Sequence, residues 1–294
     1  MKTSPVSHPG LASGKAWNGL SVQQVGWLLC LPFLAIFALF VVYPLVAGVT
    51  SSLQPANWRH LWNDPLFKRT VINSAAFVLL SVNLKMFLAL LLSSYLMVNS
   101  PFVRLVSALY LIPWAVPIIP GIISFRWLLN SEWGLLNEII WMLGGEPVYW
   151  LTAYKTALGS AITFHIWKNL PFWTLTFMAG RKAIDTGLYE AAAIDGATPF
   201  QQFRYITFPS ISRLYLICTT MSMVWTMGDF VIIYLLTGGG PADSTHVLST
   251  LAFRYAFQMA NPALGMTVFT VALPFTLLLV FILMRWVKIG GREH

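Results

Sequence analysis

The chain has 294 residues, of which 57% are hydrophobic and only 10% charged, and 13 are Trp. A soluble domain carries about 25% charged residues, so the composition excludes a water-soluble globule and places the chain in a bilayer. The net charge of +8 is spread over loops and forms no contiguous basic stretch, which argues against a nucleic-acid surface; Cys30 and Cys218 both fall in apolar runs, which argues against a disulfide scaffold.

Residues 1–26 are polar, carry Lys2 and Lys15, and are expected to form a cytoplasmic tail. The tail contains "GLASGKA" (10–16), but Pro9 and Ala16 stand where a phosphate loop requires Gly and Ser or Thr. The apolar run that follows is too long for a signal-peptide core and lacks a small-residue cleavage site, so it is expected to stay as a first span. Six segments reach the roughly 20 residues that a hydrocarbon core demands: Trp27–Val49, Val71–Met97, Leu105–Leu129, Thr156–Gly180, Leu214–Leu236 and Pro262–Val287. Lipid offers no partner to an unpaired amide, and barrel-type alternation is absent, so the fold class is all-α, a polytopic membrane protein of six transmembrane helices. The expected organisation is a six-helix domain over 27–288, a cytoplasmic loop at 181–213 and a short tail at 289–294.

In the second span, Asn83 and Lys85 are polar residues at membrane depth. In the third, "LIPWAVPIIPG" (111–121) cannot be a straight helix, because each proline removes a hydrogen bond. It is either a packing kink or a broken backbone that lines a water-filled path. Arg126 and Lys168 lie near span ends and are expected to snorkel, whereas His165 is expected to be a packed or hydrogen-bonding side chain. Between the fourth and fifth spans lies the polar island "LYEAAAIDGATPFQQFRYITFPSI" (188–211). Asp185 or Thr186 can cap a first short helix, which Gly196 can end in the left-handed conformation. Thr198, Pro199 and Gln201 form a capping box with proline at the first helical position, and Pro209 is expected to end the second helix. Leu188, Ala191, Ala192 and Asp195 share a face, and a helix this short needs a docking partner, either the protein's own spans or another chain.

The fifth span holds "SMVWTMGDF" (222–230), with Trp225 and Asp229 four residues apart. A solute path through a bilayer needs polar groups and aromatic faces, so Trp225, Thr226, Asp229 and Tyr234, with Asn83, are the candidate path residues. Helix–helix bonding by Asp229 is the competing interpretation. "GGGP" (238–241) is a turn on the outer side, and Asn261 before Pro262 caps the last span. With six spans both termini share a side. That side would hold ten Lys and Arg against five on the other, which predicts cytoplasmic termini.

The polar island resembles the EAA loop of ATP-binding-cassette importer permeases. Glu190-Ala191-Ala192, Gly196, Ile206 and Phe208-Pro209 fall at that family's spacing, with Phe208 where Leu is usual. "FVIIYLLTGGGPADST" (230–245), "RWLLNSEWGLLN" (126–137), "WKNLPF" (167–172) and Tyr43-Pro44 resemble the sugar-type (maltose and glycerol-phosphate) subgroup. The resemblance implies a MetI-like permease fold and a multi-pass subunit in a bacterial inner membrane. Its implied partners are a second permease, two ATP-binding subunits, a solute-binding protein outside, and a sugar or sugar derivative, with no nucleic acid. It assigns coupling to Glu190, Ala191, Ala192, Asp195, Gly196 and Ala197. It places ATP and Mg in the partner ATPase, so that this chain is not an enzyme and needs no cofactor of its own. The alternative from another class is an ion-coupled transporter or channel working without an ATPase.

Overall fold

The computed structural model describes residues 21–289, so the ends of both expected tails, with Lys2, Lys15 and Arg292, lie outside the described residues. Among the described residues every regular element is a helix. The chain falls into two compact units that divide after Ser51.

The first unit is one helical run: α1 (Val22–Phe37), a π-helical turn (Ala38–Val42) and the start of α2 (Tyr43–Ser52). Ser21 and Gln24 form a capping box at its start. Trp27, Phe33 and Phe40 are exposed along it, as lipid-facing residues are. The π turn ends two residues before Pro44. A proline ring crowds the carbonyl four residues back and cannot donate to it, and a widened turn accommodates both defects.

The second unit is built around α4 (Pro65–Tyr95), which α3 (Pro55–Asn63) precedes. The buried residues of α4 recur at alternating steps of three and one: Asn73, Ser74, Phe77, Val78, Ser81, Val82, Lys85, Met86, Ala89 and Leu90. That is one helical face, and much of it is small or polar, while Ile72, Leu79, Leu80 and Phe87 face outward. The inward stripe receives α9 (Ala157–Lys182), its most extensive partner, and α12 (Phe208–Met227). α15 (Pro262–Ile289) closes over α12 and α14 (Leu248–Phe253).

The third apolar segment is broken. α5 (Pro101–Tyr110) and α6 (Ile112–Ala115) lead to Val116-Pro117, and α7 (Ile118–Leu128) leaves at 104° to them. The fifth is broken too, contrary to the sequence expectation of one helix from Leu214 to Leu236. α12 stops at Met227 and α13 (Val231–Leu236) starts after a three-residue gap. Gly228 is poor at extending a helix, and Asp229 ties its carboxylate to the backbone N–H of Ile232 instead of continuing the ladder.

By length and composition, Gln23–Ser52, Pro65–Tyr95 and Pro262–Trp286 can each cross a membrane as continuous helices, and the bent pair 101–128 passes the same test only when its two halves are taken together. α9 and α12 have 26 and 20 residues, enough in length. Both bury polar side chains, among them His165 and Thr174 on α9 and Thr219, Ser222 and Thr226 on α12.

α15 approaches the α14 region closely at Gly265. A Cβ there would lie 2.6 Å from the Ala252 carbonyl oxygen and 2.7 Å from the Ala256 Cβ. Gly265→Leu is expected to destabilise the protein by about 1–3 kcal/mol or more through overpacking. Thermal unfolding in detergent, with Gly159→Ala as the control because a Cβ there meets nothing within 4 Å, checks this.

Candidate functional site

Two regions of the second unit carry functional geometry. The first is the polar island. Asp185 caps α10 (Thr186–Ile194) by accepting from the Gly187 N–H. Gly196 ends it at φ +78°; its N–H donates to the Ala193 carbonyl, and the N–H of Ala197 donates to that of Ala192 at 2.9 Å. This is the Schellman arrangement, which needs a left-handed residue after the cap. Thr198 and Gln201 then form a complete capping box ahead of Pro199. The expected stop at Pro209 does not occur. α11 (Pro199–Gln202) passes through a π-helical turn (Phe203–Thr207) straight into α12. As at Pro44, the wide turn ends two residues before the proline and absorbs it.

The elbow so formed is fixed from within. The Tyr189 hydroxyl meets the Thr207 hydroxyl at 2.9 Å, and Thr207 is buried. Ile184, Phe203 and Phe208 pack on the cluster built from α4, α9 and α12. What the elbow presents outward is different: Glu190, Ala191, Asp195 and Gly196 are exposed, Ala192 and Ala197 are half-buried, and Leu188, Ile194, Phe200 and Tyr205 expose apolar surface. Ile194 is 88% exposed, a degree that an apolar side chain tolerates at a contact surface.

The second region is a cavity of about 490 Å³ between α4, α9, α12, α13 and the break of the third segment. Trp114, Trp173 and Trp225 contribute aromatic faces to it. The polar groups come from separate elements. Lys85 of α4, 1% exposed, has its Nζ 6.0 Å from the centre of the Trp173 ring. His165 of α9 has its Nε2 3.3 Å from the Thr226 hydroxyl and 3.9 Å from the Asp229 carboxylate. Asp229 is held by the break itself, since the Ser249 hydroxyl donates to its carbonyl and the Ile232 N–H to its side chain. Two buried polar atoms of lining residues, His165 Nδ1 and the Ser222 hydroxyl, have no hydrogen-bond partner within the protein.

Of the residues expected from sequence, Trp225, Thr226 and Asp229 meet at this cavity. Helical spacing is not what unites the first and the last, because α12 has ended before Asp229. Asn83 points elsewhere: it is exposed, and its amide bonds back to the Leu79 carbonyl. Two residues from Lys85, it lies on the opposite side of α4. Tyr234 is not among the lining residues; it stacks on Phe230 at 4.7 Å and meets Phe253 edge-on. The expected place of Lys168 near a span end, and its snorkelling, are also corrected: it sits midway along α9. Its ammonium turns inward to backbone carbonyls of residues 113–116, a closer set of acceptors than the headgroup region. Arg126 likewise donates to the Leu235 carbonyl. His165, Trp173 and Lys85 are not among the expected path residues, although Lys85 stands out in sequence as a cation at membrane depth; all three line the cavity.

On the loop side, Asn73 of α4 donates to the carbonyls of Ser244 and His246, and Asp243 pairs with Arg254. Burial holds the His246 imidazole below its ordinary pKa, against the pull of Asp243 and with that of Arg254. Gly238 and Gly239 both take positive φ there, and a Cβ on Gly239 would collide with the His246 ring. Among the described residues no group of three His, Cys, Asp or Glu side chains converges to hold a metal ion.

Comparison with known proteins follows the same lines. Residues 85–289 match the family described as the binding-protein-dependent transport system inner membrane component. The chain is 31% identical to the trehalose/maltose transport system permease protein MalF of Thermococcus litoralis, over 91% of this chain and 94% of that one. It is also 31% identical to the sulfoquinovosyl glycerol transport system permease protein SmoG of Agrobacterium fabrum, over 79% and 80%. Among solved structures, it superimposes on a chain of a bacterial alginate transporter in complex with a pentasaccharide-bound periplasmic protein with a TM-score of 0.81. That likeness covers 91% of this chain and 95% of the other at 21% identity.

Proposed function

As a member of the binding-protein-dependent transport system inner membrane component family, this chain is the permease subunit of an ATP-binding-cassette importer in the inner membrane, and we propose that its cavity passes a sugar or sugar derivative. The observation that carries the proposal is the lining. Three tryptophan faces suit the C–H faces of a pyranose, and the polar atoms of Lys85, His165, Ser222, Thr226 and Asp229 suit its hydroxyls. The volume falls within the range of about 300–1,000 Å³ typical of small-molecule sites. Lys85 and Asp229 offset each other in charge, and the Lys168 ammonium is engaged by carbonyls. The balance favours an uncharged polyhydroxylated solute over an anion. The named relatives, which carry trehalose and maltose or sulfoquinovosyl glycerol, span both kinds.

The exposed elbow is the docking piece for an ATPase subunit, with Glu190, Ala191, Ala192, Asp195, Gly196 and Ala197 at the contact. ATP and Mg are used in that partner, not in this chain. Both termini lie in the cytoplasm with the elbow, and the loop around Gly239 and His246 faces the solute-binding protein. A second, related permease completes the path. ATP binding and hydrolysis move the ATPases, the elbow transmits the movement to α12, and access to the cavity alternates.

Reconstitution tests the reading. Proteoliposomes holding both permeases, the ATPases and the cognate solute-binding protein are given ATP on the ATPase side and a panel of maltose, trehalose, lactose and a sugar acid. Uptake of a neutral sugar that depends on both ATP and the binding protein is expected. Uptake without ATP, exclusive uptake of the acid, or uptake of none would overturn it.

A further inference from the structure

Lys168 makes contacts that solute passage does not call for. Its Nζ lies 2.9 Å from the carbonyl oxygen of Pro113, 3.0 Å from that of Trp114 and 2.6 Å from that of Val116. In an unbroken helix the Pro113 carbonyl would accept from residue 117 and the Val116 carbonyl from residue 120. Both of those residues are proline and have no N–H to give. The Trp114 carbonyl, whose partner would be Ile118, is separated from it by the 104° bend. An ammonium carries three donors. Lys168 therefore supplies, from another helix, the donors that the prolines removed and the bend displaced. Broken backbone at membrane depth needs partners from protein or from the water of a cavity, and here a side chain provides them.

The break is part of the cavity wall. Trp114 precedes it, Ile118 follows it, and both line the cavity beside Lys168. One turn along α9, Phe172 stacks on the Trp114 ring at 6.1 Å. We infer that Lys168 is a positioning residue that fixes the bend between the two half-helices and so holds the wall of the translocation path, with its charge spent on backbone and withheld from solute. The relevance to transport rests on the cavity being the path; the bend itself does not.

Site-specific thiol labelling reads the bend without any solute. In the assembled complex, with Cys30 and Cys218 replaced by Ala, a single Ile118→Cys is reacted with a small maleimide, and Phe230→Cys across the cavity serves as reference. Lys168→Met is expected to raise the labelling rate at position 118 by about fivefold relative to the reference, because the segment opens locally more often. Lys168→Arg, which still donates, is expected to restore the rate to within about twofold. Equal ratios in all three backgrounds, or a rise at both positions alike, would overturn the inference. Should Lys168→Met fail to accumulate, Lys168→Leu, which likewise cannot donate, is read in its place against the same two outcomes. Failure of the path reading shows separately, in the import assay.

Discussion

Gly196→Pro in the reconstituted importer is expected to lower solute import by at least about tenfold, the equivalent of losing roughly 1.4 kcal/mol of coupling, while both permeases remain in the membrane. Gly196 sits at φ +78° and gives its N–H to the Ala193 carbonyl. Proline is fixed near φ −65° and has no N–H, so the Schellman closure of α10 cannot form. The short helix would then lose its angle to the elbow. Glu190→Lys should reach the same end by another route, because Glu190 is exposed on α10 and its reversal alters only the docking face. In both variants ATP hydrolysis should become insensitive to the loaded binding protein. Normal import in the pair, measured beside ATP turnover, would remove the elbow from the coupling path.

The cavity charges give the second large effect. Lys85→Met or Asp229→Asn each leaves the opposite charge in a site where Lys85 is 1% exposed. Lys85 and Asp229 are not in direct ion contact but face the same cavity; a charge left there without its opposite is unfavourable, and each single variant is expected to lose import by about tenfold. The double variant Lys85→Met/Asp229→Asn leaves no uncompensated charge and should fall well short of the sum of the two losses. A double-mutant cycle on both membrane abundance and import rate checks this. Strict additivity would mean that the two groups act independently despite sharing one cavity.

Much of the fold is legible in sequence because lipid constrains it so tightly. The all-helical class, the proline break at 113–120 and both caps of the polar island follow from local rules that the surroundings do not override. The end of the fifth span was misread for a specific reason. Val231 to Leu236 continues the apolar run, so composition hides the gap that Gly228 and Asp229 open. The site was legible only in part. Trp225, Thr226 and Asp229 stand out as polar or aromatic residues together in one segment, but His165 and Lys85 join them only through the packing of α9 on α4. Asn83, two residues from Lys85, faces the other side of α4. The alternation of small and polar residues along α4 separates the two faces, and by that pattern Lys85 belongs inside and Asn83 outside.

The engagement of Lys168 by carbonyls more than 50 positions upstream also bears on how the polypeptide reaches its membrane. A lysine at the centre of a lone segment costs about 2.5–3.5 kcal/mol on insertion scales, and α9 carries His165 and Asn169 as well. α9 is therefore a poor candidate to leave the translocon by itself. The half-helices and α4 are synthesised first, and retaining them beside the channel until α9 emerges gives the ammonium its acceptors before it meets acyl chains. Stable insertion of α9 is then expected to depend on the earlier segments being at hand.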